Sequence, residues 1–190
     1  WIKIWRNYLF LKMNKYFDLH FNKDIITIYP GEFWSSSGPE LISTVLGSCV
    51  SITLHDPISG IGGMNHFMLA KNSNPIQDKN DRLLGRFGDH AMSMLIEDME
   101  CKGAVISRCY AKVFGGGNIF NVQNGNKNHV GESNIKFALE FLENHKIPIK
   151  SSDVGGTLPR KIFFDPVTSK VYLKHINNKN DDPYFKSLFH

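Results

Sequence analysis

The stretch LGSCVSITLHDPISGIGGMNHFML, residues 46–69, sets Cys49, His55 and His66 among small, apolar and turn-forming residues. Within it residues 49–54 alternate: Val50, Ile52 and Leu54 point one way, and Cys49, Ser51 and Thr53 point the other. That period of two is a β-strand. The run DPISG at residues 56–60 is turn chemistry, and residues 61–69 return to extended apolar sequence, so the segment predicts a hairpin. A hairpin centred on Pro57 and Ile58 sets Cys49 opposite His66. A loop one residue longer makes the pair diagonal, and a bulge at Gly60, Gly62 or Gly63 changes the count. His55, beside the turn, reads as exposed.

Two chemistries fit a cysteine and a histidine placed this way. A structural cysteine shares the apolar face of its strand, as Cys109 does with Val105, Ala111 and Val113 further along. Cys49 lies on the other face. A thiol beside an imidazolium has its pKa lowered and becomes a nucleophile at neutral pH. Gly47 and Ser48, just ahead, suit a tight turn whose amides could hold an oxyanion. Residue types alone leave a catalytic dyad and a structural pair both open.

Working outward, residues 24–29 and 41–46 read as strands, with a loop at 32–39 between them. Residues 71–82 are expected from their composition to be a polar, mobile loop. Phe87, Ala91, Leu95 and Met99 recur every four residues and predict a helix ending before Gly103. Residues 105–113 alternate as a strand, followed by the glycine loop FGGGN at 114–118. The glycines serve either close approach of a substrate or a tight turn; without a following Lys-Ser/Thr they are no P-loop. A second helix over 133–145 has Ile135, Ala138, Leu139 and Leu142 as its stripe and ends before Pro148. Residues 161–164 and 171–174 flank Asp165-Pro166 as a final hairpin. The fold class expected is α+β, with packed mixed β-sheets flanked by helices.

The chain has 190 residues, 42% hydrophobic and 21% charged, with a formal net charge of +4. This is one globular domain, placed at 24–175. Residues 1–23 read as an N-terminal extension, partly upstream of a natural start at Met13, and residues 176–190 as a tail. The basic residues are scattered, so no nucleic-acid stripe is expected. No apolar run approaches the ~18 residues that span a bilayer. Cys49, Cys101 and Cys109 cannot all pair, and none has zinc spacing, which points to a reducing, cytoplasmic setting. Cys49 and His66 have no third ligand nearby in sequence, so neither a metal nor another cofactor is expected.

The 46–69 window resembles the signature of the chemoreceptor glutamine deamidases of bacterial chemotaxis, the CheD family. The resemblance extends to GRFGDHA at 85–91, KVFGGGNIF at 112–120, VGESN at 130–134, DVGG at 153–156, and Arg160-Lys161. It spans roughly residues 24–175, and it implies a cysteine-dependent hydrolase of the cytotoxic necrotising factor type. Such an enzyme converts glutamine side chains of methyl-accepting chemotaxis receptors to glutamate, releasing ammonia through a cysteine thioester. By resemblance Cys49 is the nucleophile and His66 its base. Gly47 and Ser48 would serve the oxyanion, with Gly115, Gly116, Gly117 and Asn118 as a substrate loop. The family's third member is a threonine six residues before the cysteine. That spacing falls on Ser43, and the residue type on Thr44; neighbours on a strand face opposite ways, so one of the two serves. The resemblance implies receptors as partners and a CheC-type phosphatase as a further one. The alternative is a non-catalytic adaptor that binds that phosphatase or the receptors. No arginine cluster near Cys49 is apparent to clamp a free amino acid, so a polypeptide substrate is expected.

Overall fold

The computed structural model describes residues 14–70, 86–118 and 130–177. The chain start as far as residue 13, the loop at 71–82 and the tail from residue 178 lie outside the described residues. Ten strands and two helices are described: β1 (Asn14–Asp18), β2 (Lys23–Thr27), β3 (Phe33–Ser36), β4 (Leu41–Leu46), β5 (Val50–Asp56), β6 (Ile61–Asn65), α1 (Gly88–Cys101), β7 (Tyr110–Gly115), α2 (Val130–Asn144), β8 (Ile149–Val154), β9 (Arg160–Phe164) and β10 (Val171–His175). They form two five-stranded mixed sheets, ordered β1-β2-β4-β9-β10 and β3-β6-β5-β7-β8. The β2–β4 and β7–β8 pairs are parallel and the rest antiparallel.

The sheets stack face to face. Ile26, Ile28, Ile42, Leu46, Ile162 and Phe164 of the first meet Met64 and Phe114 of the second. The far face of the second sheet, with Val50, Ile52, Leu54, Ala111 and Val113, carries Ala91, Met92, Leu95 and Met99 of α1 and Phe137, Ala138 and Leu142 of α2. The α+β class expected from sequence is the one observed.

Position in this stack explains where sequence reading and structure part. Strand β5 is central in its sheet and covered on both faces, so Ser51, Thr53 and His55 are buried as fully as the apolar residues between them. The expectation that His55 is exposed is therefore corrected: its Nδ1–H donates to the Pro166 carbonyl, 3.0 Å away, in the β9–β10 turn. Gly62, opposite His55, permits that approach, because a Cβ there would overlap the Pro166 carbonyl oxygen. Residues 33–36 form a strand where a loop was expected. Residues 14–18 pair with β2, so the first sheet begins ahead of residue 24. The strand expected from residue 105 begins at Tyr110, after a 3-10 turn at Ile106–Arg108. On α2, Asn134 and Phe137 turn inward, while Leu139 is 40% exposed. Strand β8 is a half-exposed edge strand, too polar to show an apolar alternation.

The far end of the β5–β6 hairpin is fixed by Asp56, which is fully buried. Its carboxylate accepts from the Ile58 and Val105 amides, each 3.0 Å away, from the Ser59 hydroxyl and from Arg108. Burial alone pushes this carboxyl up, but the Arg108 bond and the amides outweigh it and hold the group well below the usual carboxylate range. The Asp56→Ala variant is expected to lose stability at the lower end of the ~3–5 kcal/mol seen when one member of a buried pair is removed, because Arg108 keeps solvent contact. Urea unfolding at pH 7 measures this, and a loss below about 1 kcal/mol would contradict the anchor.

Candidate active site

The hairpin register decides how Cys49 and His66 meet. Thr53 pairs with Met64, Leu54 with Gly63 and Asp56 with Ile61, and a lone bridge joins Val50 to Phe67. Four residues make the turn, so Cys49 falls opposite Met68 and His66 opposite Ser51. Direct opposition is thus corrected to a diagonal relation, the other arrangement the sequence allowed. Between the paired segments the ladder opens. The Ile52 amide donates to the Asn65 side-chain oxygen at 2.9 Å, and Asn65 reaches Met92 on α1 with its own N–H. The His66 backbone turns to the other neighbour: its N–H donates to the Glu32 carbonyl, and its carbonyl accepts from Gly31.

His66 is 2% exposed and lies on the inter-sheet side. Its Nδ1 is 2.8 Å from the Thr44 hydroxyl, which is also 2.8 Å from the Ile28 carbonyl. A carbonyl only accepts, so the single Thr44 proton goes to Ile28, and the hydroxyl must accept from His66 Nδ1–H. That fixes the tautomer and leaves the lone pair on Nε2. Nε2 is buried and has no hydrogen-bond partner among the described residues. Burial without a counter-charge pulls the His66 pKa down to about 4, so the ring is neutral at pH 7.

Thr44 shares its strand face with Ile42 and Leu46, toward the second sheet. Ser43 faces the opposite side, with Leu41, and takes no part in the histidine contact. Geometry therefore separates the two hydroxyls that sequence left tied.

Cys49 is half-buried and packs on the inter-sheet cluster from the turn before β5. Every carbonyl of that turn is held: Gly47 by the Gly117 amide at 2.7 Å, Ser48 by Asn134 Nδ2 at 3.0 Å, and Cys49 by the Gly116 amide at 2.7 Å. Burial pushes the Cys49 thiol pKa up as it pulls the His66 pKa down, both away from a thiolate–imidazolium pair.

The glycine loop does its work on this turn. Gly115 has φ +107, and a Cβ there would overlap the Cys49 carbonyl oxygen, so only glycine fits. The amides of Gly116, Gly117 and Asn118 are taken up by Cys49, Gly47 and Gly156. The backbone that the glycines admit is the chain's own. Behind it, Arg160 is almost wholly buried and donates to the Asp153 carboxylate and the Gly155 carbonyl, while the Gly155 amide donates to Gly115.

Sequence reading missed Asn65 and Asn134 as parts of the site. A polar residue one helical turn after Gly131, on the stripe that continues to Phe137 and Ala138, was the available signal. Among the described residues no three His, Cys, Asp or Glu side chains cluster as metal ligands, and no helix is long and apolar enough to cross a membrane.

Comparison with known proteins bears on this arrangement. The family described as CheD chemotactic sensory transduction matches residues 68–175. A protein of Chromobacterium violaceum named probable chemoreceptor glutamine deamidase CheD 2 is 38% identical over 179 residues, covering 92% of this chain and 87% of that protein. A Dechloromonas aromatica protein named probable chemoreceptor glutamine deamidase CheD 1 is 39% identical over 175 residues, covering 92% and 85%. One of the same name from Shewanella oneidensis is 40% identical over 166 residues, covering 86% and 78%. The quoted blocks, the two-sheet fold and these likenesses agree, and the chain belongs to the CheD family.

Proposed function

We propose that this protein is a cysteine-dependent protein-glutamine deamidase of the cytoplasm that acts on chemotaxis receptors, as the names of its relatives state for them. The observation that carries the reading is the direction of the Thr44–His66 hydrogen bond, which leaves a buried Nε2 lone pair without a partner among the described residues, on the inter-sheet side against which Cys49 also packs. Two packed mixed sheets with a cysteine and a histidine on neighbouring strands of one hairpin also suit the cytotoxic necrotising factor type of hydrolase.

The chemistry begins from neutral partners. As the Cys49 sulfur bonds to the glutamine Cδ, its proton passes to His66 Nε2, and the amide oxygen takes the negative charge. The Cys49 amide holds that oxyanion, with Gly47 and Ser48 in the same turn. His66 then returns the proton to the amide nitrogen, the C–N bond breaks, and ammonia leaves a thioester. Water attacks the thioester carbon and gives a proton to Nε2. The C–S bond breaks, the sulfur is reprotonated from His66, and glutamate is released. Thr44 is a positioning residue throughout, keeping Nδ1 protonated and the ring oriented. Because Nε2 carries no proton at rest and the thiol pKa is high, deprotonation accompanies attack.

On receptor cytoplasmic fragments, with the Gln-to-Glu mass change followed by peptide, Cys49→Ala is expected to abolish turnover. Thr44→Val is expected to lower it on the order of 10²-fold, and Thr44→Ser to restore most of it. Ser43→Ala is expected to stay near wild type. A purely adaptor role, docking receptors or a CheC-type phosphatase, forecasts no turnover in the wild type and unchanged binding by Cys49→Ala.

The pH dependence follows from His66. Its folded pKa is depressed from 6.5 to about 4, so the base is still free at pH 5–6. The acid limb of kcat/KM should therefore fall near pH 4, and a limb near 6.5 would contradict the buried neutral ring. The same shift ties stability to pH: the unfolded histidine takes its proton near 6.5 and the folded one near 4, so this contribution is complete above about 6.5 and is lost as pH falls toward 4. Free glutamine should release little ammonia under conditions in which receptor peptides turn over, and comparable rates would point instead to a small-molecule amidase.

A further inference from the structure

Beyond the Val50–Phe67 bridge the two strands of the active-site hairpin part. The next ladder bond would join Ser48 to Leu69, but the amides of Met68 and Leu69 both donate to the Arg86 carbonyl, at 2.9 and 3.0 Å. The Ser48 and Met68 carbonyls are left facing a gap between the cysteine turn and the strand that carries His66. Asn134 of α2 fills it. Its Nδ2 donates to Ser48 O at 3.0 Å and to Met68 O at 2.8 Å, and the side chain is 1% exposed.

Two acceptors on one side fix which end of the amide is nitrogen. The Oδ1 end is buried without a hydrogen-bond partner among the described residues, a cost the site bears for the two donors. Of the three carbonyls in the Cys49 turn, two are held by backbone amides of the glycine loop, and only Ser48 by a side chain. Helix α2 reaches this close because Gly131, one turn earlier, lies against Gly116, where a Cβ would crowd the Gly116 carbonyl. Both hydrogens of one planar amide are needed. Aspartate offers none and sets oxygen against two carbonyls, glutamine is a methylene too long, and serine offers one.

We propose that Asn134 is a positioning residue for the reaction: by bridging Ser48 O and Met68 O it sets the Cys49 turn at its working distance from the His66 strand. This rests on the reading of Cys49 as the nucleophile. Misplacing a reacting group by about 1 Å costs on the order of 10²-fold, so the effect falls on turnover rather than on receptor binding.

The test uses the full chain carrying N134D, N134S, or Leu142→Ala, which empties a fully buried site elsewhere on α2. Thermal midpoint, kcat and KM on a receptor cytoplasmic fragment, and the rate of Cys49 alkylation by iodoacetamide against pH are measured for each. The expected result is a kcat lowered on the order of tenfold to hundredfold in N134D, with KM near wild type and a displaced alkylation–pH curve. N134S should lose less, and Leu142→Ala should keep its kcat at a comparable loss of thermal midpoint. An unchanged kcat and alkylation curve in folded N134D would overturn the proposal, as would an equal kcat loss in Leu142→Ala. Should N134D not fold, N134S decides by the same criteria. Cys49→Ala separates the two readings: full activity there removes the nucleophile itself, whereas inactive Cys49→Ala beside fully active N134D removes only the role of Asn134.

Discussion

A buried imidazole must have its N–H satisfied, and here the partner comes from the opposite sheet. His66 gives its Nδ1 proton to Thr44, and Thr44 gives its own to the carbonyl of Ile28. That chain of three groups crosses the gap between sheets, so the packing of one sheet on the other and the state of the histidine are one constraint. The strand order serves it. Strands β2 and β4 are parallel neighbours, which brings the Ile28 carbonyl, just past β2, beside Thr44. Gly62, tucked beneath Pro166, lets the sheets close at the far end of the same hairpin.

The cysteine side is built on a different principle. The turn before β5 has each of its three carbonyls held from outside, by two glycine amides and one asparagine. A turn held by its oxygens keeps its amides oriented, and oriented amides are what an oxyanion needs. The glycines at 115–117 let one backbone lie against another, and the Arg160–Asp153 pair braces them from behind. With Arg160 buried and Asp153 partly exposed, the pair is a weak source of stability but a sharp geometric constraint, which suits a brace.

The resting charges follow from burial. Among the described residues the imidazole of His66 is held by a hydroxyl rather than a carboxylate, which orients the ring without stabilising a proton on Nε2. Burial likewise pushes the pKa of the Cys49 thiol up.

The strands at 41–46 and 49–54, the first helix, the final hairpin and the α+β class were legible because each carries a period or a turn signal within its own few residues. Local sequence also paired Cys49 with His66 across a hairpin, and the family blocks named the chemistry. It could not place His55, whose burial comes from Pro166, 111 residues away. Nor could it choose between Ser43 and Thr44, adjacent on one strand, because the choice depends on which face meets the other sheet. Asn134 escaped for the same reason: its partners, Ser48 and Met68, lie 86 and 66 residues away. Periodicity reports which residues share a face, and turn chemistry where the chain reverses. Which face is covered, and by what, is settled only when the sheets and helices close on each other and every buried polar atom must find a partner.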